Sequence, residues 1–318
     1  MTQDTFRYVF GPVVSRRLGR SLGVDVVPFK TCSYNCIYCQ LGPTTHQTLE
    51  RKDYVPLEAI IEELRRKLDA GLQADHITIS GSGEPTLYAG LKPLIREIKE
   101  MTSIPVAVIT NGAMLWMPEV REAILEADVV VPSLDAGNAA SFARVNRPSP
   151  GITFEQMVEG LIAFRKRYNG QFWLEIFLLN GITDSDSEVD QIRALVERIQ
   201  PDKIQLNTVA RPAPGSTVAP VPEETMEKIA RRLGPKAEVI AHYEFQRHAV
   251  GQTSVCPEDV LAVIQRHPCN LPDIAEGLGI SIEEAQKHIA ALMENQAILE
   301  ELHDGVPFYL VPSSKHDP

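Results

Sequence analysis

Six short β-branched runs punctuate the first two-thirds of this sequence: Gly23–Pro28, His76–Ser80, Val106–Thr110, Val129–Ser133, Phe172–Leu178 and Lys203–Leu206. They read as strands buried in a parallel sheet, and amphipathic helical segments separate most of them. Within Pro56–Ala70, the residues Ile60, Ile61, Leu64 and Leu68 recur at helical spacing as one apolar stripe, and Gly71 supplies the stop. Similar patterns predict helices over Leu91–Met101, Pro118–Ala127, Thr153–Arg167, Glu188–Ile199 and Glu223–Leu233. Strand–helix alternation over more than 200 residues requires an α/β fold with a parallel sheet. Six such units suit either a doubly wound sheet or a partly closed barrel, and periodicity does not separate the two.

After Gly251 the pattern changes. Glu258–Arg266, Leu271–Gly277 and Ile282–Asn295 read as helices, and Ile298–Leu302 with Val306–Val311 as a hairpin turning at Asp304-Gly305. Three helices and a hairpin resemble a winged helix-turn-helix. A chain of 318 residues, at about 150 residues per domain, accommodates two domains, expected over 1–250 and 256–312. The Pro-rich stretch Arg211–Pro222 reads as a stiff loop at the C-terminal edge of the sheet. Charge weighs against DNA as the partner of the wing. From Cys256 onward, eleven acids face three bases, a net of −8 within the total of −11, and the would-be recognition helix opens with Glu283-Glu284. A protein-binding or structural wing is expected instead. The acidic balance also argues against broad nucleic-acid or membrane-surface binding. No run approaches the ~18 apolar residues of a membrane span, and MTQDTFRYVF lacks a secretory pattern, so a cytoplasmic location is expected.

Three of the five cysteines crowd into one segment, Cys32-Ser-Tyr-Asn-Cys36-Ile-Tyr-Cys39. Clustered thiols in such a chain point to a metal rather than to a disulfide framework. Three thiolates from one tight loop can ligate three corners of a cubane iron–sulfur cluster, leaving one iron open to bind a small molecule. Two other readings stand beside it: a zinc site completed by His46, and three unligated, reactive thiols.

The spacing C-x3-C-x-aromatic-C, with Tyr38 in the aromatic place, resembles the signature of the radical S-adenosylmethionine (radical SAM) superfamily. Further segments strengthen the likeness: Ser80-Gly81-Ser82-Gly83-Glu84-Pro85, Thr110-Asn111-Gly112, Ser133-Leu134-Asp135, Glu175 and Gly181-Ile182-Thr183-Asp184. Together they span roughly Val24 to Val209. The resemblance implies a partial (βα)6 TIM-like barrel with the winged helix-turn-helix appended. It implies that Cys32, Cys36 and Cys39 hold a [4Fe-4S] cluster and that S-adenosyl-L-methionine (SAM) chelates the open iron. Ser82, Gly83 and Glu84 would receive the methionine amino group. Asn111 and Ser133 would meet the carboxylate and ribose region, with Asp135 or Glu175 as ribose partners, and Asn207 and Thr208 would meet the adenine edge. Reduced flavodoxin or ferredoxin would deliver the electron that cleaves SAM to methionine and a 5′-deoxyadenosyl radical.

The segment Phe10–Gly23, with Arg16, Arg17 and Arg20, resembles a branch of iron–sulfur oxidoreductases grouped with the tRNA wybutosine-synthesis radical enzymes. Those arginines either clamp a substrate phosphate or carboxylate, or pair with the chain's own acids. The wybutosine enzymes carry second-cluster cysteines ahead of the first motif; here none precedes Cys32, and Cys256 and Cys269 fall in the wing. A second cluster is therefore not expected, which speaks against the wyosine reaction itself and against auxiliary-cluster peptide modification, and the substrate class expected is a nucleoside, a tRNA, a peptide or a protein. The alternatives are a regulator that senses iron–sulfur or SAM state through its winged helix, and an activase for a glycyl-radical partner.

Overall fold

A computed structural model describes residues 7–15, 17–209, 218–241, 255–265, 268–303 and 305–312. Its strands, in chain order, are β1 (Val9–Ser15), β2 (Gly19–Val24), β3 (Thr31–Cys32), β4 (His46–Gln47), β5 (His76–Ile79), β6 (Val106–Thr110), β7 (Val129–Pro132), β8 (Gln171–Leu178), β9 (Lys203–Thr208), β10 (Ala237–Val239), β11 (Leu299–His303) and β12 (Val306–Leu310). The main sheet runs β1-β2-β5-β6-β7-β8-β9-β10. β1 is antiparallel to β2, and every later neighbour pairs in parallel. Parallel neighbours thus follow chain order without a reversal. Right-handed crossovers then place all helices on one face, and the sheet curls around the other. A doubly wound sheet would need a switch point in its strand order. The architecture is therefore a partial TIM-like barrel, extended past six parallel strands by the short β10.

All six predicted strands form. The first sits further back than expected: the ladder covers Gly19–Val24, and the chain leaves it at Asp25, whose carboxylate accepts hydrogen bonds from Ser82. Four strands were not predicted: the two-residue pair β3 and β4, and two strands of the main sheet, β1 and β10. β1 carries Gly11-Pro12 at an irregularity in its ladder, a sequence that an edge strand tolerates and a central strand would not. β10 has only three residues, Ala-Glu-Val, too few for any period.

The helices of the barrel are α1 (Leu57–Asp69), α2 (Leu91–Met101), α3 (Pro118–Ile124), α4 (Ala139–Val145), α5 (Phe154–Arg165), α6 (Asp186–Ile199) and α7 (Glu223–Leu233). Only α4 lacked a sequence signal, being two turns long and started by the Asn138 cap. Outward-facing strand residues such as Leu22, Ile77, Val108, Leu174 and Ile204 bury themselves under these helices. Each side chain so removed from water contributes about 1.5–3 kcal/mol. The inner face is graded. Toward the N-terminal strand ends, Leu18, Ala107, Val129, Val131 and Trp173 close the lumen with an apolar plug. Two-residue alternation puts Asn111, Ser133, Glu175 and Asn207 on the same face nearer the C-terminal ends. The mouth is polar and the floor is not.

Beyond β10, α8 (Pro257–Ile264), α9 (Leu271–Leu278) and α10 (Ile282–Glu294) pack with the β11–β12 hairpin around Val260, Cys269, Ile274, Leu278, Ile289 and Tyr309. These five elements lie where the sequence places them; Arg266 and Asp304 fall outside the described residues, as does most of the Pro-rich loop. Val13 of β1 packs against this core, and Lys67 Nζ lies 3.4 Å from Asp259 Oδ1. The C-terminal unit thereby covers the edge strand, which would otherwise present open pairing groups. Among the described residues no helix is long and apolar enough to cross a membrane.

Candidate functional site

The cysteine loop leaves the barrel after β2. Lys30 N donates to Ser82 O (2.7 Å), and the β3–β4 pairing closes the far side of the loop. Cys32 ends β3; Cys39 N donates to Cys36 O (3.2 Å) and Gly42 N to Cys39 O (2.9 Å), coiling the chain between three half-buried cysteines. Burial pushes the Cys32 thiol up to about 12, with the Glu84 charge adding to the effect, and burial likewise raises Cys36 and Cys39. The free loop therefore holds neutral thiols that give up protons on ligation. Three N–H groups point at sulfur: Tyr34 N (3.4 Å) and Asn111 Nδ2 (3.5 Å) at Cys32 Sγ, and Asn146 Nδ2 (3.5 Å) at Cys36 Sγ.

The connection after α4 braces this loop. Ile37 N donates to Val145 O (3.0 Å) and Asn35 N to Asn146 O (3.0 Å), while Ser149 N and Oγ both donate to Ser33 O (2.9 Å each). Opposite it lies the turn after β5. Gly81 has φ +110, and a Cβ there would sit 1.8 Å from Asp25 Oδ1; one on Gly83 would sit 1.9 Å from Thr31 O. The turn is thus pressed directly onto the cysteine loop, a fit that only glycine permits. Ser82 gives both its N–H (2.6 Å) and its hydroxyl (3.1 Å) to Asp25. Glu84 is buried, and its carboxylate accepts from Thr86 N (3.0 Å), Thr86 Oγ1 (2.5 Å), Thr110 Oγ1 (2.6 Å) and Asn111 N (2.8 Å). Burial raises its pKa, and these bonds pull the other way.

The remaining expected residues are gathered at the same mouth. Asn111 is part-exposed and contacts Ser33 Oγ (3.0 Å) as well as Cys32; Ser133 is part-exposed and bridges in parallel to Glu175. Asp135 is buried, accepting from Tyr38 OH (2.5 Å), Asn146 Nδ2 (2.8 Å) and Phe177 N (3.1 Å), and burial lifts its carboxyl to about 6. The Tyr38 ring lies flat on Phe177, with centroids 4.1 Å apart. Glu175 is held bidentately by Arg17 (2.5 and 3.0 Å) and by Asn207 Nδ2 (3.0 Å). Arg17 therefore pairs with the chain's own acid. So does Arg20, whose Nε lies 3.8 Å from Asp75 Oδ2 while its backbone N–H donates to the same oxygen at 2.7 Å, whereas Arg16 lies outside the described residues. Thr208 is also internally bonded, through its hydroxyl to Leu178 O (2.8 Å). Of the wing cysteines, Cys269 is buried in the C-terminal core and Cys256 is exposed at the start of α8. Sequence reasoning missed Asp25, Asn146 and Ser149, and gave Thr110 no role beyond its place in the Thr110-Asn111-Gly112 segment. Asp25 interrupts an apolar run, between Val24 and Val26, but nothing in the pattern around Asn146 marks it.

The Radical SAM superfamily profile matches residues 26–192, more than half of the chain. The chain belongs to the radical SAM superfamily. Over 309 residues it is 31% identical to the UPF0026 protein MJ1312 of Methanocaldococcus jannaschii, with 95% of each chain covered. It is 42% identical over 309 residues to a Brachyspira hyodysenteriae protein named GTPase Obg, spanning 95% of this chain but only 45% of that one. A radical SAM methyltransferase structure from Sphaerobacter thermophilus shares the fold, with TM-score 0.54 and 18% identity over 70% of this chain and 66% of that one. Radical SAM proteins bind a [4Fe-4S] cluster and SAM.

The donors present fit that cluster. Among the described residues no group of three His, Cys, Asp or Glu side chains is placed to hold a single metal ion. A cubane instead takes each thiolate on a different iron, so three cysteines spread along one coiled loop, with N–H groups aimed at their sulfurs, suit it. A groove of about 430 Å³ lined by Asp184, Lys228, Arg231 and Arg232 shares no residue with this centre.

Proposed function

We propose that this chain is a radical SAM enzyme whose Cys32, Cys36 and Cys39 hold three corners of a [4Fe-4S] cluster, with SAM on the fourth. One observation carries the reading: three thiols on one loop, with N–H groups directed at two of the sulfurs, packed against the glycine turn of Gly81–Glu84. Cluster and SAM together supply one-electron cleavage of the sulfonium and a 5′-deoxyadenosyl radical that takes a hydrogen from substrate. The rest falls to the chain. Gly83 lets the turn approach, so that its backbone and Ser82 can receive the amino group of methionine. Asn111 and Ser133, both part-exposed, are the side chains available to the carboxylate and ribose. Glu84, Asp135 and Glu175 act from behind. Glu84 fixes Thr110 and Asn111, Asp135 fixes Tyr38, and Glu175 fixes Arg17 and Asn207. The apolar plug below keeps water from the lumen where the radical forms.

The substrate is a nucleoside, tRNA, peptide or protein presented at the polar mouth, and the electron donor is a reduced flavodoxin or ferredoxin. The C-terminal unit, as a winged helix-turn-helix, faces protein rather than DNA. Ile282, Met293, Leu302 and Val306 are exposed on it, among acids that would repel phosphates. The test is anaerobic reconstitution followed by dithionite and SAM. The wild type is expected to form 5′-deoxyadenosine and Cys36→Ala to form none; a reconstituted wild type that leaves SAM intact would overturn the reading.

A further inference from the structure

We propose that Asn146 is a positioning residue that sets the redox potential of the cluster through Cys36, an inference that rests on the cluster reading above. Asn146 is 2% exposed and sits just past α4, where its own N–H is tied to Phe142 O (2.9 Å). Its carbonyl takes Asn35 N from within the cysteine loop (3.0 Å), so backbone and side chain grip the loop at adjacent points. The orientation of its amide is decided by chemistry. The Asp135 carboxylate only accepts hydrogen bonds, so the nitrogen of Asn146 must face it, at 2.8 Å. That leaves the second N–H of the same nitrogen for Cys36 Sγ, at 3.5 Å. Asp135 cannot swing away, because Tyr38 OH (2.5 Å) and Phe177 N (3.1 Å) hold its two oxygens. Tyr38 is itself pinned flat on Phe177, which closes the network.

The consequence is electrostatic. A ligating thiolate carries negative charge, and one-electron reduction of the cluster places more of it on the sulfurs. A fixed, buried N–H donor stabilises the reduced state more than the oxidised one and raises the potential. Removing the donor lowers it. Asn111 plays the matching part at Cys32, but it also borders the proposed SAM site, so Asn146 gives the cleaner test.

The experiment is an EPR-monitored redox titration of anaerobically reconstituted protein without SAM. It compares wild type, Asn146→Leu, Asn146→Ser and Ser149→Ala. Asn146→Leu keeps the volume and loses the donor, whereas Ser149→Ala removes a loop brace that touches no sulfur. Asn146→Leu is expected to keep its iron and sulfide while its reduced-to-oxidised ratio at the wild-type midpoint falls about tenfold, the scale of one hydrogen bond to a charged group. Ser149→Ala is expected to titrate like the wild type. An unmoved midpoint in Asn146→Leu, or an equal shift in Ser149→Ala, would overturn the inference. Should Asn146→Leu take up no cluster, Asn146→Ser decides. A lowered midpoint supports the role, whereas a wild-type midpoint, or no cluster in either variant, contradicts it. A wild type without acid-labile sulfide would instead sink the cluster reading itself.

Discussion

Glu84 shows how one buried carboxylate organises two strand ends. Its two oxygens collect four donors from the turn after β5 and the end of β6, all of them buried or nearly so. Glu84→Ala strands those donors, and each buried group left unsatisfied costs about 1–3 kcal/mol. The variant is therefore expected to lose about 3–5 kcal/mol in urea unfolding of the apoprotein, and a loss under about 0.5 kcal/mol would contradict this role. Asp135 yields a pH prediction. Burial is the main reason its carboxyl rises from 3.8 to about 6. Between those values the folded chain keeps a proton that the unfolded chain has released. The group thus favours the fold at acid pH, and its contribution is lost as pH rises through about 6. Relative to wild type, Asp135→Asn should gain stability as pH rises across that window, and a pH-independent difference would contradict the assignment. At this scale the sequence announces Cys32, Cys36, Cys39, Gly81 and Gly83, because spacing and missing side chains are local facts. It is silent on Asn146 and Asp25, whose partners are more than ten residues away and are chosen by the fold.

The longer elements were legible from their period, and a cap alone, as Asn138 before α4, was not enough. The capping box of Thr153 and Gln156 starts α5, and the Ser185 side chain starts α6, within two residues of the expected positions. β1 escaped because Gly11-Pro12 breaks its alternation, and α4 because two turns carry little pattern. The choice between barrel and doubly wound sheet depended on strand order, which no single element encodes. Gly160 gives a prediction at this scale. In an exposed helix Gly→Ala would stabilise by about 1 kcal/mol. Here, however, a Cβ would lie 2.4 Å from Trp116 N and 2.7 Å from Leu115 C, backbone atoms that cannot step aside. Gly160→Ala is expected to lower the thermal midpoint despite its better helix propensity; an unchanged or raised midpoint would show that α5 can shift off the Leu115–Trp116 segment.

Across the whole molecule, the C-terminal unit is a cover as well as a surface. It packs onto β1 through Val13 and the Lys67–Asp259 pair, while Ile282, Met293, Leu302 and Val306 remain exposed. Leu292→Ala, in its core, should cost about 2–5 kcal/mol, whereas Leu302→Asp at the exposed hairpin should stay within about 0.5 kcal/mol in the same unfolding assay. Duplex DNA at low salt should fail to bind; salt-dependent retention would reverse the assignment of this surface. The acidic composition is read directly from the sequence, but the docking of this unit on β1 appears only in three dimensions. Whether the cysteine loop leaves one iron open to SAM is read from the EPR spectrum of dithionite-reduced holoprotein with and without SAM. A reduced-cluster signal whose shape changes on SAM addition is expected; a signal that stays the same would contradict the account.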